Sequence, residues 1–236
     1  MSFTKTAILV DLGFFIKRVR TLCRNELSQL TSADEEAIFL SDILFNHIKN
    51  HLTFKKEKHE LYRIYVYDAP PLKKKMHHPK TGHAIDFSKS KTSQIREALH
   101  QSIRQHPMTA LRLGTLHETE AVWTLKDKKL YKRFIQGKVS YESLQEEDFT
   151  IDVTQKQVDM KIGMDITWLS LKQLVGRIIL IAGDSDFVPV AKLARKEGIT
   201  FILDPMRQDI RPDLSEHIDL LRSPSLQTTL QTKEVL

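Results

Sequence analysis

The sequence predicts an α/β fold with a parallel central sheet and a β-rich insertion, on three observations. Residues 6–10 (Thr-Ala-Ile-Leu-Val) and 178–182 (Ile-Ile-Leu-Ile-Ala) are apolar runs without alternation. That pattern marks strands buried on both faces, which in a soluble chain usually form a parallel sheet. Each run ends abruptly in acid, Asp11 after the first and Gly183-Asp184-Ser185-Asp186 after the second. Finally, residues 188–196 carry helical spacing, Gly198 stops it, and a new apolar run at 199–203 completes a strand-helix-strand unit. Acids at the carboxyl ends of parallel strands sit where open α/β sheets hold their ligands, whereas antiparallel strands would separate them.

Composition bounds the function. At 236 residues with 41% apolar content, the chain is long enough for one substantial domain with an insertion. No run approaches the roughly 18 apolar residues of a membrane span, and the N-terminus lacks a secretory layout, so a soluble cytoplasmic protein is expected. Cys23 stands alone, which excludes an internal disulfide, and its apolar neighbours point to a packed thiol. The net charge of +6, with basic stretches at 49–58 and 73–80, favours a polyanionic partner.

In chain order, Phe15, Ile16, Val19, Leu22, Cys23, Leu27 and Leu30 recur at three and four residues, giving an amphipathic helix with Lys17, Arg18, Arg20 and Arg24 outside. Most of those bases read as a solvated face; Arg18 is also a candidate phosphate contact. Ser32 and Glu35 form a capping-box signature for a second helix, with His47 at the edge of the core. After a polar connection at 55–59, residues 61–67 read as a third strand, ending in Asp68, where Pro70 and Pro71 break regular structure. Residues 69–87 then form a long basic loop. Its Lys73, Lys74, Lys75 and Lys80 suit phosphate contacts, and its three histidines fit no structural zinc spacing. Residues 93–105 read as a helix ended by Pro107; 110–116, 121–125 and 130–135 read as short strands of the insertion. A helix from about 158 carries Asp159 in its first turn, where the dipole alone favours a carboxylate. Asp165 has the spacing to pair with Lys161. Asp184 and Asp186 also suit a helix cap, but two acids flanking a serine beyond a buried strand read better as a site.

Asp11 with Gly13-Phe14-Phe15-Ile16-Lys17-Arg18, the segment Val158-Asp159-Met160-Lys161-Ile162-Gly163-Met164-Asp165, and Gly183-Asp184-Ser185-Asp186-Phe187-Val188-Pro189 resemble the NYN domain of the LabA/DUF88 group, in the PIN-like nuclease superfamily. The resemblance covers about residues 6–203. It implies a three-layer PIN-like fold with a single domain over 1–222, containing the basic loop 69–87 and an insertion at about 108–150, followed by a mobile tail at 223–236. Carried over residue by residue, it implies that Asp11, Asp159, Asp184 and Asp186 are catalytic and bind Mg2+ or Mn2+. Ser185, Asp165 and Lys161 would support them, and Lys73, Lys74, Lys75, Lys80 and Arg18 would meet RNA. One departure stands out: many members have Asp-Gly-x-Asn after the first strand, and here Leu12 and Phe14 occupy the Gly and Asn places.

Converging carboxylates repel, raising pKa values, unless a hard cation neutralises them, and an all-oxygen set favours Mg2+ or Mn2+ over zinc. The expected activity is metal-dependent endoribonuclease cleavage of single-stranded or structured RNA, with no membrane partner and with self-association into a homo-oligomer left open. The alternative is an RNA-binding or scaffold protein on the same fold without turnover. A phosphatase of the haloacid dehalogenase type fits less well, because its Asp-x-Asp motif after the first strand is met here by Asp11-Leu12-Gly13.

Overall fold

The structure, a computed structural model, describes residues 5–53 and 59–226, apart from the Ser185 side chain. Six parallel strands form the central sheet: β1 (Lys5–Asp11), β2 (Glu60–Asp68), β5 (Thr109–Leu113), β10 (Arg177–Ile181), β11 (Thr200–Asp204) and β12 (Leu220–Leu221). Their spatial order is β12-β11-β10-β1-β2-β5. From β1 the chain moves outward on one side to β2 and β5, then returns to β10 on the other side of β1. The topological switch point therefore lies between β1 and β10, in register with Val10 opposite Ile181. In doubly wound sheets this crevice, beyond the carboxyl ends of the strands, is the ligand position.

Alternate side chains of the central strands feed two cores. Ile8, Val10, Ile179 and Ile181 pack with α1 (Leu12–Leu22), α3 (Ala33–Leu52) and α4 (Lys91–Gln105). Ala7, Leu9, Ile178 and Leu180 pack on the other face with α6 (Val158–Leu171) and α7 (Val188–Lys196). Helix, sheet and helix layers result, because both sheet faces are apolar and each needs a cover. A short α2 (Arg24–Ser28) follows α1, and Ser32 and Glu35 form the expected capping box of α3. Helix α6 is apolar on both sides. Ile162, Ile166 and Leu169 enter the core, while Met160, Met164, Trp168 and Leu171 are exposed.

Several expected elements differ. The loop at 69–87 contains a hairpin of β3 (Lys75–His77) and β4 (Ala84–Asp86). Residues 109–113, expected in the insertion, are the edge strand β5 of the central sheet. The insertion proper pairs β6 (Thr115–Leu116) with β9 (Gln155–Lys156) and β7 (Val122–Leu125) with β8 (Phe149–Asp152), all antiparallel. Residues 130–135, expected as a strand, lie in a helix, α5 (Lys128–Ile135), which starts because Asp127 accepts from Lys129 N at 2.6 Å and Leu130 N at 3.3 Å. The expected tail begins packed: Leu226 is 7% exposed, in the first core. The connection at 54–58 and the expected mobile tail from 227 lie outside the described residues.

Candidate active site

Asp11 ends β1 and caps α1, its Oδ1 accepting from Phe14 N at 2.9 Å. Capping and a functional role coexist here, because the second carboxylate oxygen has no hydrogen bond among the described residues. Asp184 leaves β10 on the neighbouring strand, and its Oδ1 accepts from Asp186 N at 3.1 Å. Asp159 sits in the first turn of α6 after Gln157, whose φ of 73° is left-handed and whose side chain does not cap the helix. Instead Gln157 Oε1 accepts from Thr115 Oγ1 at 3.0 Å. A strained residue held beside a cleft is a common mark of a functional site.

These acids border one open cleft of about 740 Å3, whose lining includes Asp11, Phe14, Lys17, Asp159, Asp184 and Arg211. Asp186 lies outside that lining, but its charge acts on Asp159. Burial raises the Asp159 carboxyl above the usual range, and the charges of Asp184 and Asp186 raise it further. Burial also raises Asp11, with the charges of Asp159 and Asp68 adding to it, and the Phe14 N-H and Lys17 opposing. Uncompensated carboxylates of this kind match a hard cation held by oxygen. Among the described residues, no three of these carboxylates bring oxygens within 4.8 Å of one another. A cation here would be held by one or two of these carboxylates, with water completing its shell.

At Gly183 the constraint is a close approach of side chains, not the backbone conformation. Its φ is not positive; rather, a Cβ there would run into the Phe14 ring and come within 3.0 Å of Gln208 Nε2. Phe14 therefore packs on the glycine that precedes Asp184.

The supporting residues have other partners than expected. Asp165 pairs with Arg112 Nε at 2.7 Å and accepts from the buried Tyr67 hydroxyl at 2.6 Å. Lys161, expected to pair with Asp165, reaches instead to β5 and donates to Leu113 O at 2.5 Å. Both tie α6 to the sheet and do not line the cleft. The Ser185 side chain lies outside the described residues. Lys73 pairs with Glu97 at 2.5 Å, Lys74 donates to Glu118 O at 3.0 Å, and Lys75 lies 3.7 Å from Asp86. Lys80 donates to Glu142 O at 2.8 Å and lies over the Tyr141 ring. Lys73 thus reaches α4, Lys74 and Lys80 reach the insertion, Lys75 stays within the hairpin, and Arg18 donates twice to Met206 O. The cations that do reach the cleft are Lys17 and Arg211. Sequence reasoning passed over both: Lys17 looked like part of a solvated helix face, and Arg211 followed a proline-containing loop.

A second titratable group, buried behind the cleft, was also missed. Asp204, at the end of β11, accepts on Oδ2 from His47 Nε2 at 2.6 Å and His51 Nε2 at 2.8 Å. Its Oδ1 accepts from Met206 N and Ser223 Oγ, each at 2.7 Å. Burial alone would raise the Asp204 carboxyl, but the two histidines outweigh it and hold it well below the usual range. The three donor atoms lie close enough for one metal ion. The hydrogen bonding argues for a proton network instead. A metal on His51 Nε2 would put the ring proton on Nδ1, which faces the Arg222 guanidinium at 3.4 Å, a donor against a donor. The network anchors the turn after β11, where Met206 and Arg207 have φ of 46° and 61°. That turn leads into Gln208, Asp209 and Arg211 of the cleft wall. Two histidines four residues apart on an amphipathic helix, and an acid ending another strand, were the available signals.

No curated protein matches the chain. A protein of unknown function from Vibrio parahaemolyticus is similar in structure, at 14% identity over 94% of both chains and a TM-score of 0.46. A haloacid dehalogenase-like family hydrolase from Streptococcus pneumoniae aligns at 13% identity over 98% of both chains, with a TM-score of 0.22. Neither similarity is close enough to carry an argument. The NYN domain family, in contrast, matches residues 34–213, a stretch that includes Asp159, Asp184 and Asp186 and begins after Asp11. With its parallel sheet flanked by helices, a PIN-like nuclease fold, the chain belongs to the NYN domain family.

Proposed function

We propose that the protein is a metal-dependent ribonuclease of the LabA/DUF88 group, formed by one domain over residues 1–222, that hydrolyses RNA phosphodiester bonds in the cleft at the sheet switch point. The observation that carries the proposal is that Asp11, Asp159 and Asp184 line one cleft, with Asp186 close enough to raise Asp159. Mg2+ or Mn2+ bound among these carboxylates would supply Lewis-acid stabilisation and a more acidic water. Asp159, its carboxyl raised, is suited to take the proton as water attacks phosphorus and the bond to the leaving sugar oxygen breaks. The leaving sugar oxygen takes up its proton from solvent water, and Asp159 returns the proton it accepted to solvent. Lys17 and Arg211 offset the charge of the phosphate, and Asp11, fixed by the Phe14 N-H, holds the substrate side of the cleft in place.

One observation favours a second reading, RNA binding without turnover: Phe14 fills the space on Gly183 where a polar side chain would meet water or substrate. Purified protein incubated with single-stranded RNA, single-stranded DNA and a phosphomonoester, in Mg2+, Mn2+ or EDTA, separates the readings. Metal-dependent RNA cleavage lost in the Asp184→Asn/Asp186→Asn double variant is the expected result. RNA binding without cleavage in either metal would establish the second reading, and phosphomonoester turnover alone would refute both.

A further inference from the structure

A second cavity, of about 320 Å3, opens between the start of α4, the segment after β2 and the strands of the insertion. Gln155 belongs to the lining of this cavity and of the acidic cleft, so the two adjoin. Its lining combines apolar side chains, among them Leu72, Phe87 and Ile151, with Thr92, Ser93 and Arg96 of α4. Arg96 is held in place from behind. Its Nη1 donates to Asp68 Oδ1, and the other Asp68 oxygen is bonded to His100 Nε2 at 2.7 Å. Only 18% of the Arg96 side chain is exposed, and its remaining guanidinium N-H groups have no partner among the described residues. Ser93, 2% exposed, has an Oγ with no hydrogen-bond partner among the described residues.

We propose that this cavity seats one unpaired nucleotide of the strand whose neighbouring phosphodiester lies in the acidic cleft. The substrate class rests on the nuclease reading; the cavity itself does not. A fixed guanidinium with unspent donors recognises a phosphate, and the first turn of α4 adds the positive end of a fifteen-residue helix. The apolar part of the lining offers Phe87 and two aliphatic side chains to the face of a base. The volume falls within the range of small-ligand sites and suits one nucleotide. A base paired in a duplex is closed to such a seat, so the cavity selects single strands.

The test is fluorescence polarisation in EDTA, where no cleavage intervenes, using the full chain and labelled oligonucleotides of one sequence as single-stranded RNA, single-stranded DNA and RNA duplex. Two variants are compared: Thr92→Trp, which fills the mouth of the cavity from an exposed helix position, and Arg96→Lys, which keeps a cation beside Asp68 but removes the fork. Thermal melts confirm that each is folded. Wild type binds a single strand at least about tenfold tighter than duplex, and each variant loses about tenfold, the worth of one seated base. The RNA and DNA arms identify which strand is accepted. Unchanged affinity in folded Thr92→Trp, duplex bound as tightly as single strand, or no binding of any strand would overturn the proposal. Cavity-dependent binding without hydrolysis in Mg2+ or Mn2+ would leave the cavity standing and remove the nuclease; hydrolysis indifferent to Thr92→Trp would do the reverse.

Discussion

Asp204→Asn is the change by which the buried network can be weighed. The carboxylate accepts four hydrogen bonds of 2.6 to 2.8 Å, from His47, His51, Met206 N and Ser223 Oγ, and its side chain is fully buried. An amide keeps one acceptor oxygen and turns the other into a donor. Facing the histidines, the NH2 group opposes two N-H donors. His47 can shift its proton to Nδ1, which has no partner among the described residues, but His51 Nδ1 faces Arg222. Turned the other way, the NH2 opposes the Met206 N-H, which cannot adapt. Bonds to a charged acceptor are worth about 1.5 to 3 kcal/mol each, and breaking a buried charged network costs about 3 to 5 kcal/mol, so a loss of about 3 kcal/mol or more is expected. Urea denaturation at an unchanged m-value measures it, and limited proteolysis within residues 205–211 reports the loosened cleft wall. A loss below about 1 kcal/mol would show that the carboxylate is not the charged acceptor described here.

Three further outcomes follow from the same contacts. Gly183→Ala drives a methyl group into the Phe14 ring and should cost about 1 to 3 kcal/mol in urea denaturation; a neutral substitution would contradict the close approach. Burial holds His51 below its ordinary pKa despite the Asp204 hydrogen bond, so the unfolded chain binds its proton more readily than the folded one. Stability is therefore full above about pH 6.5 and declines as pH falls below it, with the depressed Asp204 adding a further loss below about pH 4. Thermal melts from pH 8 to 5 should slope downward, less so in His51→Gln, and a melting temperature that rises with acid would contradict the assignment. Finally, because the His47-Asp204-His51 group is read as a proton network, purified protein should contain no stoichiometric zinc, and EDTA should leave the melting temperature within about 1 °C. Zinc retained at one per chain and lost in His51→Gln would make that trio a metal site.

The parts of the fold that were legible share a physical cause. Strands β1 and β10 are buried on both faces, so neither run alternates, and parallel pairing with Asp11 and Asp184 on one edge followed. The Ser32-Glu35 box was equally readable, because capping depends only on local spacing. Strand β5 misled because it is an edge strand of half-buried residues and resembles the insertion next to it. Helix α5 misled because Lys-Lys-Leu-Tyr-Lys-Arg-Phe-Ile lies beside true strands, and its signal was the Asp127 cap. At the site, acids were legible from strand ends, but partners distant in sequence were not. Arg112 pairs with Asp165, Lys73 and Lys75 have carboxylates beside them and Lys74 a carbonyl, and Asp204 meets His47, 157 residues earlier in the chain.

The most direct test of the aspartate cleft is the initial rate of cleavage of a labelled single-stranded RNA, titrated with Mg2+ or Mn2+, in wild type and Asp159→Asn. Cation-dependent cleavage in wild type, falling about a hundredfold or more in a folded variant, is the predicted result. Cleavage that persists in EDTA, or an Asp159→Asn rate equal to wild type, would contradict it.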